Sequence, residues 1–519
     1  MGVLFKMDYK IMKKWLVVVI TLMFFASAYS GISQKTTNTS ALPSFIKVSS
    51  KISENSYLLP HSWQQINEDG FGDKHNVGTR AMTEFAGYLC VGVTNFNLSS
   101  GEVNGCELWC YNGTDWIQSV GNRSSASIGL GFGNKNNAEC SILIEFNGWL
   151  YAGTGNNKNG CELWRTSDPV TGKWEKVVDK GFGYTSNFGM WSAEIFKGSL
   201  YIGTINFPRG CQIWRTSDGN DFEAVVGGLS HTPGGFGELM NVYAWYMKAY
   251  DGKLYVGTQN MLGGEIWRST DGTSWECLVG PKGNYPGGFQ IVDLNYGIRT
   301  LTVFKGDLYA GTAAMPSVTV ALKTGGIYNK PHEVRIFSSP EVGLQIWRLN
   351  VSEDQKWQCT VGGFIEKNSS GNGFGDKHNI YAWTMKVFND SLYVGTYNVK
   401  REYIALSLKD IIKYLTKENI VYMLGSDFVT KKGDGCQIWK TNDGTHWIQD
   451  VGNETSGPGN GFGDVNNNGI RSMSVYQINQ VPKTSDGTHW KYPNNSTKTD
   501  ALIIGTANAV TGCEIWEYQ

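Results

Sequence analysis

The sequence predicts an all-β fold made of one repeated unit, and three observations support that prediction. A five-residue motif, Gly-Cys-Glu/Gln-Ile/Leu-Trp, recurs along nearly the whole chain, with Gly or Leu in place of Cys in two of its copies. The seven copies end at Trp109, Trp164, Trp214, Trp267, Trp347, Trp439 and Trp516. Turn residues and short apolar runs separate the copies, and no helical spacer lies between them. A unit of about 50 residues cannot bury its own apolar face, so neighbouring units must stack.

The first element of each unit is a turn rich in glycine and asparagine. Its sequence is Gly-Phe-Gly-Asp/Asn-x-x-Asn or a close variant. The copies span residues 70–76, 131–137, 181–187, 235–241, 373–379 and 461–467, with a degenerate copy at 287–295.

Four strands follow from the rest of the unit. An apolar run that ends in Phe146, for example, precedes the dipeptide Asn147-Gly148 and a Leu-Tyr-x-Gly-Thr segment, which is typical of a tight β-hairpin. The Gly-Cys-Glu-Ile-Trp motif then forms a third strand. After a polar turn such as Ser269–Thr273, a fourth strand such as Trp275–Val279 completes an antiparallel meander.

Seven units of four strands predict a seven-bladed β-propeller, a ring that leaves only short sheet edges. The chain ends at Trp516–Gln519, in the third strand of the last unit. Ser62–Ile66, just before the first turn, match the fourth-strand pattern of Trp116–Gln118. We therefore expect an N-terminal strand to complete the last blade and close the ring.

The polar turn Ser/Thr-x-Asp-Gly-Thr-x-Trp resembles the Asp-box of sialidases and related propellers. The best copies span residues 269–275, 441–447 and 217–222, with looser copies at 111–116 and 167–174. In those families the box forms the hairpin between blade strands three and four and lies away from the active site. The resemblance implies a propeller with Asp-box-like hairpins and carries no activity with it.

The N-terminal segment predicts export. Lys13-Lys14, the apolar run Trp15–Phe25 and the small residues Ala26–Ala28 match a secretory signal. We predict a signal peptide at 1–28, a flexible linker at 29–60, and a propeller at 61–519 with insertions at 313–342, 397–435 and 477–500. No later segment predicts a membrane span, so a secreted or cell-surface monomer is expected.

Charge and cysteine spacing limit the partners. The net charge is −1, which attracts neither nucleic acid nor an anionic membrane. Five of the ten cysteines share one repeat position, so we interpret them as small buried residues that cannot reach each other; they are Cys106, Cys161, Cys211, Cys436 and Cys513. Cys90, Cys110 and Cys140 break the pattern, and one disulfide among them or with Cys106 is the alternative.

Function is expected where the units differ. The insertions in blades five and six follow strand two, on the face that also carries the connections between blades. Leu408, Ile411, Ile412 and Leu415 have the spacing of a short amphipathic helix. Such an insertion either forms a wall beside a pocket or simply covers an exposed rim.

One repeat position varies in a way that suggests a ligand. Four residues after the last Asn of each turn stand Arg80, Ser141, Trp191, Trp245, Arg299, Trp383 and Arg471. Indole faces and forked guanidinium donors suit a sugar ring or an anionic glycan, so we predict that these Arg and Trp residues bind ligand at the mouth of the central channel. The alternative is that the Trp side chains wedge between blades and the Arg side chains bond inner carbonyl groups.

Other motifs predict neither catalysis nor a metal. Asp464-x-Asn466-x-Asn468-Gly469 is similar to the start of a calcium loop, but Val475 stands where a bidentate Glu is needed, so we interpret the segment as a turn. The sequence names no catalytic nucleophile and leaves the cofactor unknown.

The predicted function is therefore a binding or cell-surface interaction module for a glycan or an extracellular protein, rather than an enzyme. One alternative is a sialidase-like glycan-active enzyme, in which Arg80, Arg299 and Arg471 bind a carboxylate and Tyr243, Tyr381 or Glu139 carry the chemistry. Against it, the repeats bring no pair of carboxylates together, as glycoside hydrolysis requires. A purely structural envelope component is the other alternative.

Overall fold

The fold is described from a computed structural model. The description covers residues 63–97, 100–123, 128–260, 262–289, 295–314, 343–350, 356–362, 370–399, 433–453, 457–478 and 499–518. The predicted signal peptide and linker, most of the three insertions and the predicted helix at 408–415 lie outside these residues. Within the described ranges the regular elements are β-strands and short 3-10 turns, without an α-helix. No helix in that part of the chain is long and apolar enough to cross a membrane.

The strands come in groups that pair antiparallel in chain order, after the short N-terminal strand β1 (Trp63–Gln65). The first groups are β2 (Asn76–Phe85), β3 (Tyr88–Asn97), β4 (Glu102–Val103), β5 (Glu107–Tyr111) and β6 (Trp116–Val120); β7 (Glu139–Phe146), β8 (Trp149–Gly155), β9 (Leu163–Thr166) and β10 (Glu175–Val178); β11 (Asn187–Phe196), β12 (Ser199–Asn206), β13 (Ile213–Thr216) and β14 (Glu223–Val226). The next are β15 (Tyr243–Tyr250), β16 (Lys253–Gln259), β17 (Ile266–Ser269) and β18 (Glu276–Val279); β19 (Asn295–Phe304), β20 (Asp307–Ala314), β21 (Ile346–Asn350) and β22 (Lys356–Val361). The last are β23 (Asn379–Phe388), β24 (Ser391–Asn398), β25 (Ile438–Thr441) and β26 (Ile448–Val451); β27 (Gly469–Ile478), β28 (Thr499–Ala507) and β29 (Ile515–Tyr518).

The two leading strands of every group form a closed ring of 14 strands. The first strand of each group, called here the inner strand, makes a bridge to the second strand of the preceding group, as Glu139 does to Thr94. The ring closes where Gly78 of β2 meets Ala507 of β28. As predicted, β1 pairs with the C-terminal strand β29, with Trp63 opposite Tyr518. The predicted all-β class and closed ring are confirmed.

The glycine of the Leu-Tyr-x-Gly-Thr segment, which is Leu-Cys-Val-Gly-Val in the first group, allows the groups to approach closely. A Cβ atom on Gly92 would lie 2.7 Å from the Sγ atom of Cys140, and one on Gly257 would lie 2.7 Å from the side chain of Ile298. Both neighbours belong to the inner strand of the next group. Only a residue without a side chain fits there, which explains why the repeat keeps this glycine.

The motif that defines the repeat forms a buried hydrogen-bond network, called here the Asn–Glu–Trp network. In the first group, the Nδ2 atom of Asn76 donates to Oε2 of Glu107 at 2.9 Å, and the indole N–H of Trp109 donates to the same oxygen at 2.8 Å. Each group repeats this pattern with Glu or Gln as the acceptor; the acceptors are Glu107, Glu162, Gln212, Glu265, Gln345, Gln437 and Glu514.

Aromatic stacking completes this network. The Phe of each Gly-Phe-Gly turn adopts a positive φ, for example 60° at Phe236, which costs a non-glycine residue roughly 1 kcal/mol. Its ring stacks on the motif Trp and meets a strand-four aromatic edge-on: Phe236 lies 4.7 Å from Trp267 and 5.4 Å from Trp275, centroid to centroid. Trp63 of β1 takes the strand-four role for the last group, 5.4 Å from Phe462. Packing therefore holds the strained turn in place.

The five cysteines that share a repeat position are fully buried, in agreement with their interpretation as small core residues. All ten cysteines lie in the described part of the chain, and no disulfide joins any two of them in the structure.

Candidate binding site in the central channel

A β-bulge in every inner strand creates the site. In β2 the register with β3 shifts between Thr79 and Ala81, which leaves Arg80 as the extra residue. The same shift occurs at the equivalent place in the other inner strands, and the extra residues are Ser141, Trp191, Trp245, Arg299, Trp383 and Arg471. A bulge redirects a side chain out of the ladder, so one repeat position becomes one level of the ring.

The predicted ligand-binding residues lie inside the channel rather than at an open surface. All six are buried, with residue exposures from 1% at Trp383 to 7% at Arg80. Five of them line one cavity of about 180 Å³ together with Ser141. Trp245 is not part of that lining and lies against Arg299 instead.

The cationic and aromatic residues form pairs around the channel, two of them between adjacent groups. The guanidinium of Arg80 lies over the indole of Trp191 at 4.5 Å, and two further pairs join Arg299 to Trp245 at 5.1 Å and Arg471 to Trp383 at 5.6 Å, each measured to the ring centroid. A cation over an indole is stabilised by the ring quadrupole, more strongly where water is excluded. This pairing gives three buried positive charges a favourable contact each.

Arg471 is also held by polar groups of the neighbouring strands. Its Nη1 atom donates to Oγ1 of Thr94 at 3.2 Å, and Nη2 donates to Oε1 of Glu139 at 3.2 Å. Both partners of this ion pair are buried. The Arg471 side chain passes over Gly78, where a Cβ atom would lie 2.8 Å from Nη1. The Arg471 guanidinium is thus neutralised locally.

Further charges lie along the inner strands beyond the bulge. Glu194 lines the cavity, and its Oε1 atom lies 3.0 Å from Nζ of Lys248. Burial lowers the pKa of Lys386, and repulsion from Lys248 lowers it further. Among the described residues that line the cavity, three are arginines and one, Glu194, is a carboxylate, which favours an anion.

Aromatic residues close the channel at the end where the inner strands begin. Tyr243, Tyr296 and Tyr381 pack with Trp245 and Trp383 in one buried cluster, and the hydroxyls of Tyr296 and Tyr381 are hydrogen-bonded to each other. Cavity residues beyond the bulge, such as Met82 and Leu143, are only half-buried. Within the described residues, solvent therefore reaches the cavity from the hairpin end of these strands.

The residues named for the enzyme alternative, and those of the calcium-like segment, are all engaged by other side chains. Tyr243 and Tyr381 lie inside the aromatic cluster, and Glu139 contacts Arg471. Asp464, the first residue of the calcium-like segment, accepts hydrogen bonds from Asn466 and Asn508. Among the described residues no group of three or more His, Cys, Asp or Glu side chains could hold a metal ion.

Sequence reasoning missed the glycines that make room for the large channel side chains. A Cβ atom on Gly297 would overlap the indole of Trp245, and one on Gly469 would overlap the indole of Trp383. Gly297 lies near the start, and Gly469 at the start, of the inner strand in the group that follows the tryptophan. For these two tryptophans the available signal was a compensating pattern between neighbouring repeats, in which Trp at one bulge position is followed by glycine two residues before the next bulge position. Trp191 instead lies beside Gly189 of its own strand.

Known proteins resemble the chain only distantly. No protein-family model matches it, and no curated protein sequence matches it. A solved structure of an alpha-L-arabinofuranosidase from Clostridium thermocellum is 15% identical, with 54% of this chain and 92% of that chain covered and a TM-score of 0.28. Sqt1 from Saccharomyces cerevisiae is 9% identical over 87% and 99% of the two chains, with a TM-score of 0.39. A polysaccharide lyase of family PL25, an ulvan lyase, is 10% identical over 87% and 94%, with a TM-score of 0.36. At these scores the likenesses carry no argument about the fold or the function.

Proposed function

We propose that this protein is an exported binding module that holds an anionic group of a glycan or an extracellular protein in its central channel. The observation that supports this proposal is the set of three guanidiniums and three indoles that the bulges bring to one level of the ring, five of which line a cavity of about 180 Å³. The proposal includes a secreted or cell-surface location and a monomeric state.

The proposed architecture is a seven-bladed propeller with four strands in each blade. Repeated strand pairing supports it, since each inner strand pairs in turn with a second, third and fourth strand in antiparallel register, as in β11 to β14, and β1 supplies the fourth strand of the last group. Asp-box-like hairpins join the third and fourth strands in this proposal. In one of them the Oδ1 atom of Asp271 accepts hydrogen bonds from the backbone N–H groups of Thr273 and Ser274, each at 2.7 Å.

The chemistry of the cavity favours a carboxylate on a small apolar-faced body. A guanidinium that stacks on an indole uses its face, and a carboxylate binds at its edge, so the cation–π pairs are compatible with an anionic ligand. A volume of about 180 Å³ is far below the 300–1,000 Å³ of a typical drug-sized pocket. We therefore propose that one terminal sugar or one acidic side chain enters, while the rest of the partner stays outside.

A glycan-active enzyme is the second candidate, and Glu139 is the residue that supports it. Its carboxylate is buried in contact with Arg471. Glycoside hydrolysis uses two carboxylates about 5 to 9 Å apart, and Glu194 is the one carboxylate among the described residues that line the cavity. Product analysis in the binding experiment distinguishes the candidates.

The test is binding of the full chain to an array of glycans that end in a carboxylated sugar, with the neutral counterparts beside them. We expect retention on the carboxylated set, and a loss of at least tenfold in affinity for Arg299→Gln, Trp245→Ala and Trp383→Ala. Trp275→Ala is the control, because this strand-four residue packs on Phe236, away from the channel. Its folded fraction should bind like the unchanged protein.

Equal binding by the channel and control variants, or equal retention of neutral and carboxylated glycans, would refute the proposed site. If the full chain releases a shortened glycan and Glu139→Gln abolishes that release, the protein is a glycan-active enzyme rather than a binding module. Failure of every glycan, with capture of an acidic protein that depends on Arg299, would identify the protein-binding form of the same proposal.

A further inference from the structure

Two cysteines face each other across strands β3 and β5. Cys90 and Cys110 are direct partners in the antiparallel register, and their Sγ atoms lie 3.3 Å apart. Both side chains are fully buried. A disulfide needs Sγ atoms about 2 Å apart and Cβ atoms about 3.8 Å apart, so a shift of about 1 Å joins these two.

The same two positions hold a different pair in most other groups. There the residue equivalent to Cys90 is Tyr and its partner is Arg or Lys; the pairs are Tyr151 with Arg165, Tyr201 with Arg215, Tyr255 with Arg268, Tyr309 with Arg348, and Tyr393 with Lys440. These pairs interact, since Nη1 of Arg165 donates to the hydroxyl of Tyr151 at 3.2 Å. In the last group Ile503 faces Glu517.

Both members of the pair therefore change to cysteine in one group only. A single buried cysteine would leave the opposite Tyr or Arg without its partner, whereas two facing cysteines replace one cross-strand interaction by another. Scattered small core cysteines, such as Cys106 and Cys161, follow the repeat and do not face a second cysteine in the register. The paired replacement points to a bond between the two sulfur atoms.

A third cysteine lies nearby without occupying the facing position. The Sγ atom of Cys140 is 2.7 Å from where a Cβ atom of Gly92 would lie, in the next inner strand. Burial raises the pKa of the thiols of Cys110 and Cys140, so both are slow to react once the ring has closed. Oxidation is then expected while β3 and β5 pair, before β7 covers them.

We propose that Cys90 and Cys110 form a disulfide that joins the second and third strands of the first group. Two S–H bonds break and one S–S bond forms. The two electrons and two protons pass to an oxidant of the disulfide class, which is reduced to two thiols. The link closes a loop of 20 residues and does not depend on the proposed ligand site.

The test is peptide mapping of the full chain after folding with oxidised glutathione, with free thiols alkylated in denaturant before digestion. A protease that cleaves after Glu separates the relevant cysteines, because Cys90 falls in 85–102, Cys106 in 103–107, Cys110 in 108–139 and Cys140 in 140–145. We expect 85–102 to be linked to 108–139 and the other two peptides to be alkylated. The link should persist in Cys140→Ala and disappear in Cys90→Ser.

A second measurement reads the link in the unchanged protein itself. Reductant should lower the Tm of the unchanged protein by roughly 5 °C, and should not affect the double variant Cys90→Tyr with Cys110→Arg, which restores the pair used in the other groups. Alkylation of both 85–102 and 108–139 would overturn the proposal. So would a link from 85–102 to 103–107 or to 140–145.

Discussion

The Asn–Glu–Trp network and the channel bulges are built by the same repeat but differ in what they hold constant. In the network, every group makes the same two hydrogen bonds, with Asn-to-acceptor distances of 2.7 to 2.9 Å. At the bulge, the backbone shift is constant and the side chain is Arg, Trp or Ser. Constant chemistry therefore marks the scaffold, and constant geometry with variable chemistry marks the candidate site.

The substitutions that each region accepts have a physical reason. Glu and Gln alternate in the network because only one side-chain oxygen accepts both hydrogen bonds, as Oε2 does in Glu265 and Oε1 does in Gln212. The bulge residue has no partner in the strand register, so its size is limited by what packs around it, in the neighbouring group or, for Trp191 beside Gly189, in its own strand. Gly297 meets that limit beside Trp245.

The largest expected effect comes from opening the ring. Deleting residues 1–62 leaves β1 in place, whereas deleting residues 1–66 removes the strand that pairs with β29 and the Trp63 ring that packs on Phe462. The second deletion exposes a sheet edge, and we expect it to aggregate. Size-exclusion chromatography and thermal unfolding of the two deletions provide the comparison, and equal behaviour would contradict closure through β1.

A matched pair of Trp→Phe substitutions compares the two regions directly. Trp267→Phe keeps a ring against Phe236 but removes the donor to Oε2 of Glu265, 2.8 Å away, and leaves a buried carboxylate with one fewer partner. We expect a loss of about 2 to 4 kcal/mol in the free energy of unfolding. In Trp245→Phe the lost indole N–H has no hydrogen-bond partner among the described residues, so the expected loss is about 1 kcal/mol.

Urea titrations of the two variants measure this difference. An equal loss in both would mean that the network hydrogen bond adds nothing beyond the packing of the ring. A larger loss of unfolding free energy in Trp245→Phe would mean that the channel tryptophans, like the network, belong to the scaffold.

Gly297→Ala tests whether the channel tryptophan and the following glycine fit as a pair. The added methyl group would overlap the Trp245 indole, so the ring must move, at a cost of about 1 to 3 kcal/mol. Gly371→Ala is the matched control, since the atom nearest to its added methyl is 3.6 Å away. If Trp245→Ala is introduced as well, the cost of Gly297→Ala should disappear, and a cost that persists would contradict the proposed fit.

Much of this molecule follows from local sequence rules. Turn residues such as Asn147-Gly148 have the positive φ angles that a tight hairpin requires, 51° and 77°. Trp63 was identifiable as a strand-four residue by its pattern alone. The repeat position of the channel residues could also be read from the sequence. A bulge occurs at the same place in every group, so these residues align when the repeats are compared with each other.

The remaining features depend on contacts between groups, which one repeat does not encode. Arg80 pairs with Trp191, which lies two groups further along the chain, and no local pattern connects them. The aromatic cluster around Tyr296 and Tyr381 depends on side chains from different inner strands that meet only when the ring closes. The sequence therefore indicated which residues reach the channel, but not that they are buried there in pairs.

The last expected effect depends on pH and concerns the charge state of the network itself. Burial raises the pKa of Glu514 to about 6 from an ordinary value of 4.5, although hydrogen bonds from Trp516 and Asn467 oppose the shift. The folded protein thus holds this proton more tightly than the unfolded chain. Stability contributed by this group is complete below pH 4.5 and is lost as the pH rises to about 6, a difference of about 2 kcal/mol.

Glu514→Gln should remove this loss, because Gln already serves at Gln212, Gln345 and Gln437. Urea unfolding of the variant and the unchanged protein should agree near pH 4.5 and differ by up to about 2 kcal/mol at pH 7, with the variant more stable. The converse substitution Gln437→Glu should introduce a pH dependence of the same sign. If neither variant changes the dependence of unfolding on pH, the network accepts a charged carboxylate without cost, and its alternation of Glu and Gln has another cause.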